Sequence, residues 1–198
     1  MEDRKVSFLG LGVMGYPMAG HLSKAGYNVT IYNRTESKSD SWLKEYKGSK
    51  ALTPREAVKD SKIVFACVGN DNDIKDICIG NNGAFLGMDK GAIFVDNTTA
   101  SADIARELYK TAKNDYSISF LDAPVSGGEA GAVNGALTVM VGGDKNVFHI
   151  AKPYIDAYSQ AVTLMGNSGA GQLTKMVNQI CIAGLVQGLS EGVKFGML

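Results

Sequence analysis

A doubly wound α/β fold with a mostly parallel sheet is what this sequence predicts, on three observations. Apolar runs of strand length alternate with helix-like stretches. Several runs are continuous rather than alternating, as strands covered on both faces require. Helix start and stop signals fall in the gaps between them. At 198 residues the chain has room for one domain, or one domain and part of a second.

Taken in order, the strand-like runs are Val6–Leu9, Val29–Tyr32, Ile63–Val68, Ile93–Val95, Ile118–Leu121, Leu137–Val141 and Val162–Met165. The first helix is expected over Met14–Ala25, with Gly26 where a left-handed cap belongs. Thr53-Pro54-Arg55-Glu56 reads as a capping box with Pro at the first helical position. Ser101 is placed to cap a helix over Ile104–Ala112. From Gly169 to Leu198 there is no Pro and no strand pattern. One helix over that stretch would be about 45 Å long. Its apolar residues cover more than one face, so it calls for cover on several sides.

The composition excludes several classes. Hydrophobic residues at 45% and charged residues at 20% rule out a disordered chain. The 20 Lys+Arg cancel the 20 Asp+Glu, so no global basic field exists to hold nucleic acid or an anionic membrane. No apolar run approaches the roughly 18 residues of a membrane span. Val6–Met14 could imitate a signal-peptide core, but Glu2 and Asp3 spoil the leader and Gly10 and Gly12 break the run. A cytoplasmic protein is expected. Cys67, Cys78 and Cys181 are odd in number and far apart. They are expected to be buried free thiols in a reducing compartment, and no metal site is expected. His21 and His149 are isolated and read as structural or exposed.

Chemistry enters with Gly10-Leu11-Gly12-Val13-Met14-Gly15, a G-x-G-x-x-G turn that follows a strand and opens a helix. Gly10 permits the tight turn, Gly12 lets the backbone approach a pyrophosphate, and Gly15 lets helix and strand pack closely. Free N–H groups at the helix start then hold the anion. This makes the fold Rossmann-like and predicts a dinucleotide cofactor. An S-adenosylmethionine-binding turn would want an acid at the end of the second strand, and none stands there. That end reads Asn33-Arg34-Thr35, with Lys38 following. An NAD site places Asp or Glu about there for the ribose 2′-hydroxyl. A guanidinium, a hydroxyl and an ammonium suit a 2′-phosphate instead, so NADP(H) is preferred over NAD(H).

Four segments together carry a resemblance. They are Phe8-Leu9-Gly10-Leu11-Gly12-Val13-Met14-Gly15; Asp122-Ala123-Pro124-Val125-Ser126-Gly127-Gly128; Gly135-Ala136-Leu137-Thr138 with Gly142-Gly143; and Gly169-Ala170-Gly171-Gln172 with Lys175 and Asn178. The chain resembles the β-hydroxyacid dehydrogenase family, which includes 3-hydroxyisobutyrate dehydrogenases and NADPH-dependent glyoxylate and succinic semialdehyde reductases. The resemblance implies that Lys175 is the general acid/base on the substrate hydroxyl. It implies that Ser126, Gly127 and Gly128 hold the substrate carboxylate, and that Asn178 orients substrate. Gln179 stands where many members carry a second Asn. Thr98 matches a hydroxyl residue near the nicotinamide, and Val68 and Gly69 match a loop lining the cofactor.

The residues agree with those roles. Lys175 and Asn178, three apart, share a helix face. A lysine desolvated in an apolar helix has its pKa lowered toward a useful range. Ser126-Gly127-Gly128 exposes N–H groups with little steric cover, as an anion nest needs. The expected activity interconverts a small 3-hydroxy acid (or a 2- or 4-hydroxy acid) and its semialdehyde or keto acid. A 6-phosphogluconate dehydrogenase-like enzyme would need a basic, tyrosine-bearing phosphate site, whereas Ile180–Leu189 is apolar. A binding or oligomerising module without turnover would tend to lose the lysine. Family members continue through several further helices. Residues 1–165 are therefore expected to form the cofactor-binding domain. Residues 166–198 would be the long first helix of an otherwise absent all-α domain, and a homo-oligomer paired through that helix is expected.

Overall fold

The computed structural model describes residues 4–197. Glu2, Asp3 and Leu198, on which parts of the sequence reading rest, lie outside them. The described residues form a nine-stranded sheet. Its first half comprises β1 (Lys5–Leu9), β2 (Asn28–Tyr32), β3 (Ser49–Lys50), β4 (Ile63–Ala66), β5 (Ile93–Asp96) and β6 (Ser119–Asp122). The second half comprises β7 (Val125–Ser126), β8 (Leu137–Gly142) and β9 (Ser159–Gly166). The order is β3-β2-β1-β4-β5-β6-β8-β7, with β9 also on β8. All pairs from β3 to β6 are parallel. β8 runs antiparallel to β6 and β7, and β9 parallel to β8.

The helices are α1 (Gly15–Lys24), α2 (Glu36–Glu45), α3 (Pro54–Ala57), α4 (Asp71–Ile79), α5 (Ala102–Thr111), α6 (Gly128–Val133), α7 (Lys145–Ile155) and α8 (Ala170–Gly196). The cap signals act as their chemistry requires. Gly26 sits at φ +86°. Thr53 Oγ1 accepts from the Glu56 N–H at 3.1 Å, and Ser101 Oγ from the Ile104 N–H at 3.1 Å. The expected strands are all present with ends shifted. The run Ile63–Val68 leaves the sheet after Ala66, which frees Val68 for the loop beyond. β3 and β7, two residues each, are too short to leave an apolar run.

Successive strand residues feed two cores. Phe8, Phe65, Val95 and Leu121 pack on one side of the sheet with Leu22 and Trp42. Leu9, Val64, Phe94 and Phe120 pack on the other with Ile104 and Leu108. Both faces are apolar because both are covered by helices, which is why the runs read as continuous. Between β1 and β4 the chain reverses its direction of travel across the sheet. A crevice opens there at the carboxyl ends of the strands, the usual ligand position in such sheets.

Among the described residues, α8 is fastened at its start. Gly169 and Gln172 donate their N–H groups to Asp122 Oδ1 and Oδ2 at 2.7 and 3.1 Å. A Cβ on Gly171 would collide with the Met140 carbonyl oxygen. Farther along, Ile180, Leu185 and Leu189 are exposed. Cys181 is exposed with them, which corrects the expectation of three buried thiols. Cys78 is buried and Cys67 half-buried, but no element in the described residues covers the helix at Cys181. No helix among the described residues is long and apolar enough to cross a membrane.

Asp96, at the end of β5, is fully buried. Its Oδ1 accepts from the Thr98 N–H at 2.9 Å, while Oδ2 has no partner among the described residues. Burial pushes its carboxyl up to about 7. Such a group binds its proton more tightly folded than unfolded. Its contribution to stability is complete below the ordinary carboxylate range, about 4, and is lost as pH rises through about 7. Asp122, also raised by burial, acts in the same direction. The melting temperature should therefore be several degrees higher at about pH 5.5 than at about pH 8, and Asp96→Asn should flatten that slope. A melting temperature that climbs with pH over this window would contradict the assignment.

Candidate active site

The crevice between β1 and β4 is a cleft of about 680 Å³. Its floor is the turn from β1 into α1. Gly10 has φ +97°, and a Cβ there would strike the Cys67 carbonyl oxygen. A Cβ on Gly15 would collide with the Gly10 carbonyl and approach Phe8 Cε1 to 3.0 Å. Gly12 differs, because a Cβ there meets no atom within 4 Å. The first and last glycines are thus needed by the fold, and the middle one leaves open a cradle for something else. Gly12, Val13 and Met14 line the cleft at the start of α1, where helix N–H groups favour an anion. Leu11 is buried beneath, and its N–H donates to Asn33 Oδ1 at 2.8 Å.

At the other end stand Asn33, Arg34, Thr35 and Lys38, all lining the cleft. The Asn33 side chain is held on both sides, since its Nδ2 donates to the Thr35 carbonyl at 2.9 Å. It locks the glycine turn to the end of β2. Arg34 Nη1 lies 3.2 Å from Asp73 Oδ1 on α4, with the arginine side chain 85% exposed. So open a pair is weak and leaves the guanidinium free to turn to a bound anion. These features fit a dinucleotide with its pyrophosphate on the α1 turn.

A second cavity of about 260 Å³ continues from the first, sharing Met14, Cys67, Val68 and Gly69 with it. Its other walls are Asn97, Thr99, Val125, Gly128 and Lys175. Burial lowers the Lys175 ammonium below the ordinary lysine range. The cavity thus joins the nucleotide cleft to a partly desolvated amine, with Gly128 also in its lining.

Residues 5–166 match the family described as the NAD binding domain of 6-phosphogluconate dehydrogenase. An uncharacterized oxidoreductase of Shewanella frigidimarina is 60% identical over 191 residues, 96% of this chain and 65% of the relative. A probable 3-hydroxyisobutyrate dehydrogenase-like protein of Arabidopsis thaliana is 38% identical, over 96% of this chain and 63% of its own length. Among solved structures, Mycobacterium tuberculosis 3-hydroxyisobutyrate dehydrogenase with L-serine superposes at a TM-score of 0.88. It is 27% identical, over 98% of this chain and 66% of that one. The chain belongs to the β-hydroxyacid dehydrogenase family. It spans about 65% of its Shewanella relative.

Within this β-hydroxyacid dehydrogenase fold the predicted site residues take different positions. Val68, Gly69, Gly128 and Lys175 meet around one cavity. Thr98 is buried behind it, its Oγ1 accepting from the Val68 N–H at 3.1 Å, and it is Thr99 that faces the space. Asn178 is half-buried, with an Nδ2 that has no partner among the described residues. Ser126 is half-buried, while Gly127 and Gln179 are exposed, and none of these three lines the cavity. His21 stands apart, with Nε2 3.0 Å from the Ala132 carbonyl.

Sequence reasoning missed Asn97, Thr99, Gln172, Asp122 and Asp73. Asn97 is buried, held by its Nδ2 to the Ala123 carbonyl at 2.7 Å and by the Tyr158 hydroxyl to its Oδ1 at 3.2 Å. For Asn97 and Thr99 the available signal was a run of polar residues directly after an apolar strand, since side chains at strand ends face the crevice.

The glycines make a paired test. Gly12→Ala should leave the melting temperature nearly unchanged and weaken nucleotide binding, because its methyl enters only the cradle. Gly15→Ala should lower stability by about 1–3 kcal/mol through overpacking. Thermal melts and fluorescence titration with NADPH check both; equal stability losses would undo the distinction.

Proposed function

We propose that this chain carries the nucleotide-binding half and the proton donor of an NADP(H)-dependent oxidoreductase. Its reaction interconverts a small 3-hydroxy acid and the corresponding semialdehyde or keto acid. The observation that carries the reading is Lys175, a desolvated amine in a cavity continuous with the dinucleotide cleft. The nicotinamide cofactor, when bound, supplies or accepts the hydride. Lys175 as ammonium then gives a proton to the carbonyl oxygen during reduction, and as neutral amine takes it from the hydroxyl during oxidation. Its lowered pKa serves both directions, because donor and acceptor forms are then both populated nearer neutral pH.

Two further features support the reading. Asn178, whose Nδ2 has no partner among the described residues, lies one helical turn from Lys175, which supports a role in orienting substrate. The turn at Ser126–Gly128 carries positive φ at Gly127 and Gly128, and Gly128 lines the second cavity, which supports an anion site at its backbone N–H. Arg34, Thr35 and Lys38 at the far end of the cleft favour NADP(H) over NAD(H), with the guanidinium exchanging Asp73 for the 2′-phosphate. A short, unphosphorylated acid suits the 260 Å³ of the second cavity.

Fluorescence titration of the full-length protein should show tighter binding of NADPH than NADH. Arg34→Ala should weaken NADPH by about 1.5–3 kcal/mol, the range for one charge-assisted contact. Equal affinities for the two cofactors would remove the preference. Lys175→Ala should lower kcat by about 10²–10⁴ while NADPH affinity stays close to that of the parent. Near-normal turnover in that variant would overturn the assigned chemistry.

A further inference from the structure

We propose that Gln172 is a positioning residue for Lys175, aligning the amine with Thr99 and the cofactor loop through a buried amide bracket. The proposal rests on the role given to Lys175 above. Gln172 is fully buried. Its Oε1 accepts from the Ala100 N–H at 3.1 Å, and its Nε2 donates to the Thr98 carbonyl at 2.7 Å. One side chain therefore pairs with the two peptide groups flanking Thr99, and Thr99 lines the cavity that holds Lys175.

The bracket continues outward, because Thr98 Oγ1 accepts from the Val68 N–H at 3.1 Å and Val68 lines the same cavity. Lys175 follows Gln172 by three residues, one turn farther along α8. The turn bearing the amine is thus tied to Thr99 and, through Thr98, to Val68, both of which line its own cavity. A primary amide suits this task because it offers donor and acceptor together in fixed geometry. Fastening α8 to the sheet does not need it. Asp122 already takes the Gly169 and Gln172 N–H groups, and Gly171 already packs against the β8 backbone. What the side chain adds is the rotation and height of the helix relative to the loops after β4 and β5. A misplacement of about 1 Å can cost on the order of 10² in rate.

Two variants of the full-length protein test this. Gln172→Met is nearly isosteric and lacks the amide; Gln172→Asn keeps the amide and shortens its reach by one methylene. Gln172→Met should bind NADPH within about two-fold of the parent yet lose about ten- to hundred-fold in kcat. Gln172→Asn should fall between the two. In Gln172→Met the Lys175 limb of the pH profile should also move to higher pH, as water reaches the ammonium. Of the side chains sharing that cavity, Cys67 is the other that titrates, and burial pushes it up to about 12. Asp96, which accepts from the Thr98 N–H, and Asp122, which accepts from the Gln172 N–H, are the other titrating groups the change can reach, so the same shift is required in an Asp96→Asn background before the limb is assigned to Lys175.

A parental kcat with an unmoved limb in Gln172→Met, even at a lowered melting temperature, would make Gln172 a structural residue and overturn the proposal. If Gln172→Met does not fold, Gln172→Asn decides: reduced kcat with NADPH binding retained supports positioning, and parental kcat refutes it. Lys175→Ala separates the two levels. Turnover retained there overturns the proposed function, whereas turnover lost there with Gln172→Met unaffected overturns the positioning role alone.

Discussion

The join between the sheet and the helix that bears Lys175 depends on one buried carboxylate. Asp122 closes β6 and accepts two N–H groups from the start of α8, at Gly169 and Gln172. The unpaired donors at a helix start and a fixed negative charge satisfy each other there. Burial alone would drive the carboxyl toward its neutral form, and those N–H donors oppose that. The contact has so little slack that a Cβ on Gly142 would come 2.5 Å from Asp122 Oδ1, and one on Gly171 2.9 Å from Oδ2. Glycine at both positions lets β8, β6 and α8 converge on the carboxylate.

The nucleotide cleft follows a parallel logic at the carboxyl ends of β1 and β4. Gly10 and Gly15 are required by backbone packing, and Asn33 ties their turn to β2. The cleft is therefore preformed by groups whose hydrogen bonds are already made. Flexible charge, in Arg34 and Lys38, sits at its rim, where a long exposed side chain can adjust to its ligand. Rigid backbone at the glycine turn and long exposed cations after β2 thus line the two ends of one cleft.

Much of this was legible in the sequence because it is local. Strand runs, the Thr53 and Ser101 caps, the left-handed Gly26 and the glycine turn all act within a few residues of themselves. The shared face of Lys175 and Asn178 follows from helical period alone. The short strands β3 and β7 were not legible, because two residues paired at a sheet edge carry no periodic signal. Cys181 was misjudged because an apolar neighbourhood in sequence says nothing about whether an element arrives to cover it. Thr98 and Thr99 could not be told apart in advance. Which hydroxyl faces the cavity depends on the pairing of Thr98 with Val68 from a different loop.

The sequence by itself determined the fold class, the family and the glycine turn of the nucleotide-binding domain. Each is written in residue types whose backbone or charge properties have few substitutes. Only the tertiary structure decided that Lys175 shares a cavity with Val68, Asn97, Thr99 and Gly128, residues brought together from four separate stretches of chain. It also decided that Gln172 and Asp122 hold that cavity's parts in register. The reason is physical: hydrogen bonds between residues 47 to 74 apart depend on strand order and helix placement. A one-dimensional pattern contains no term for either.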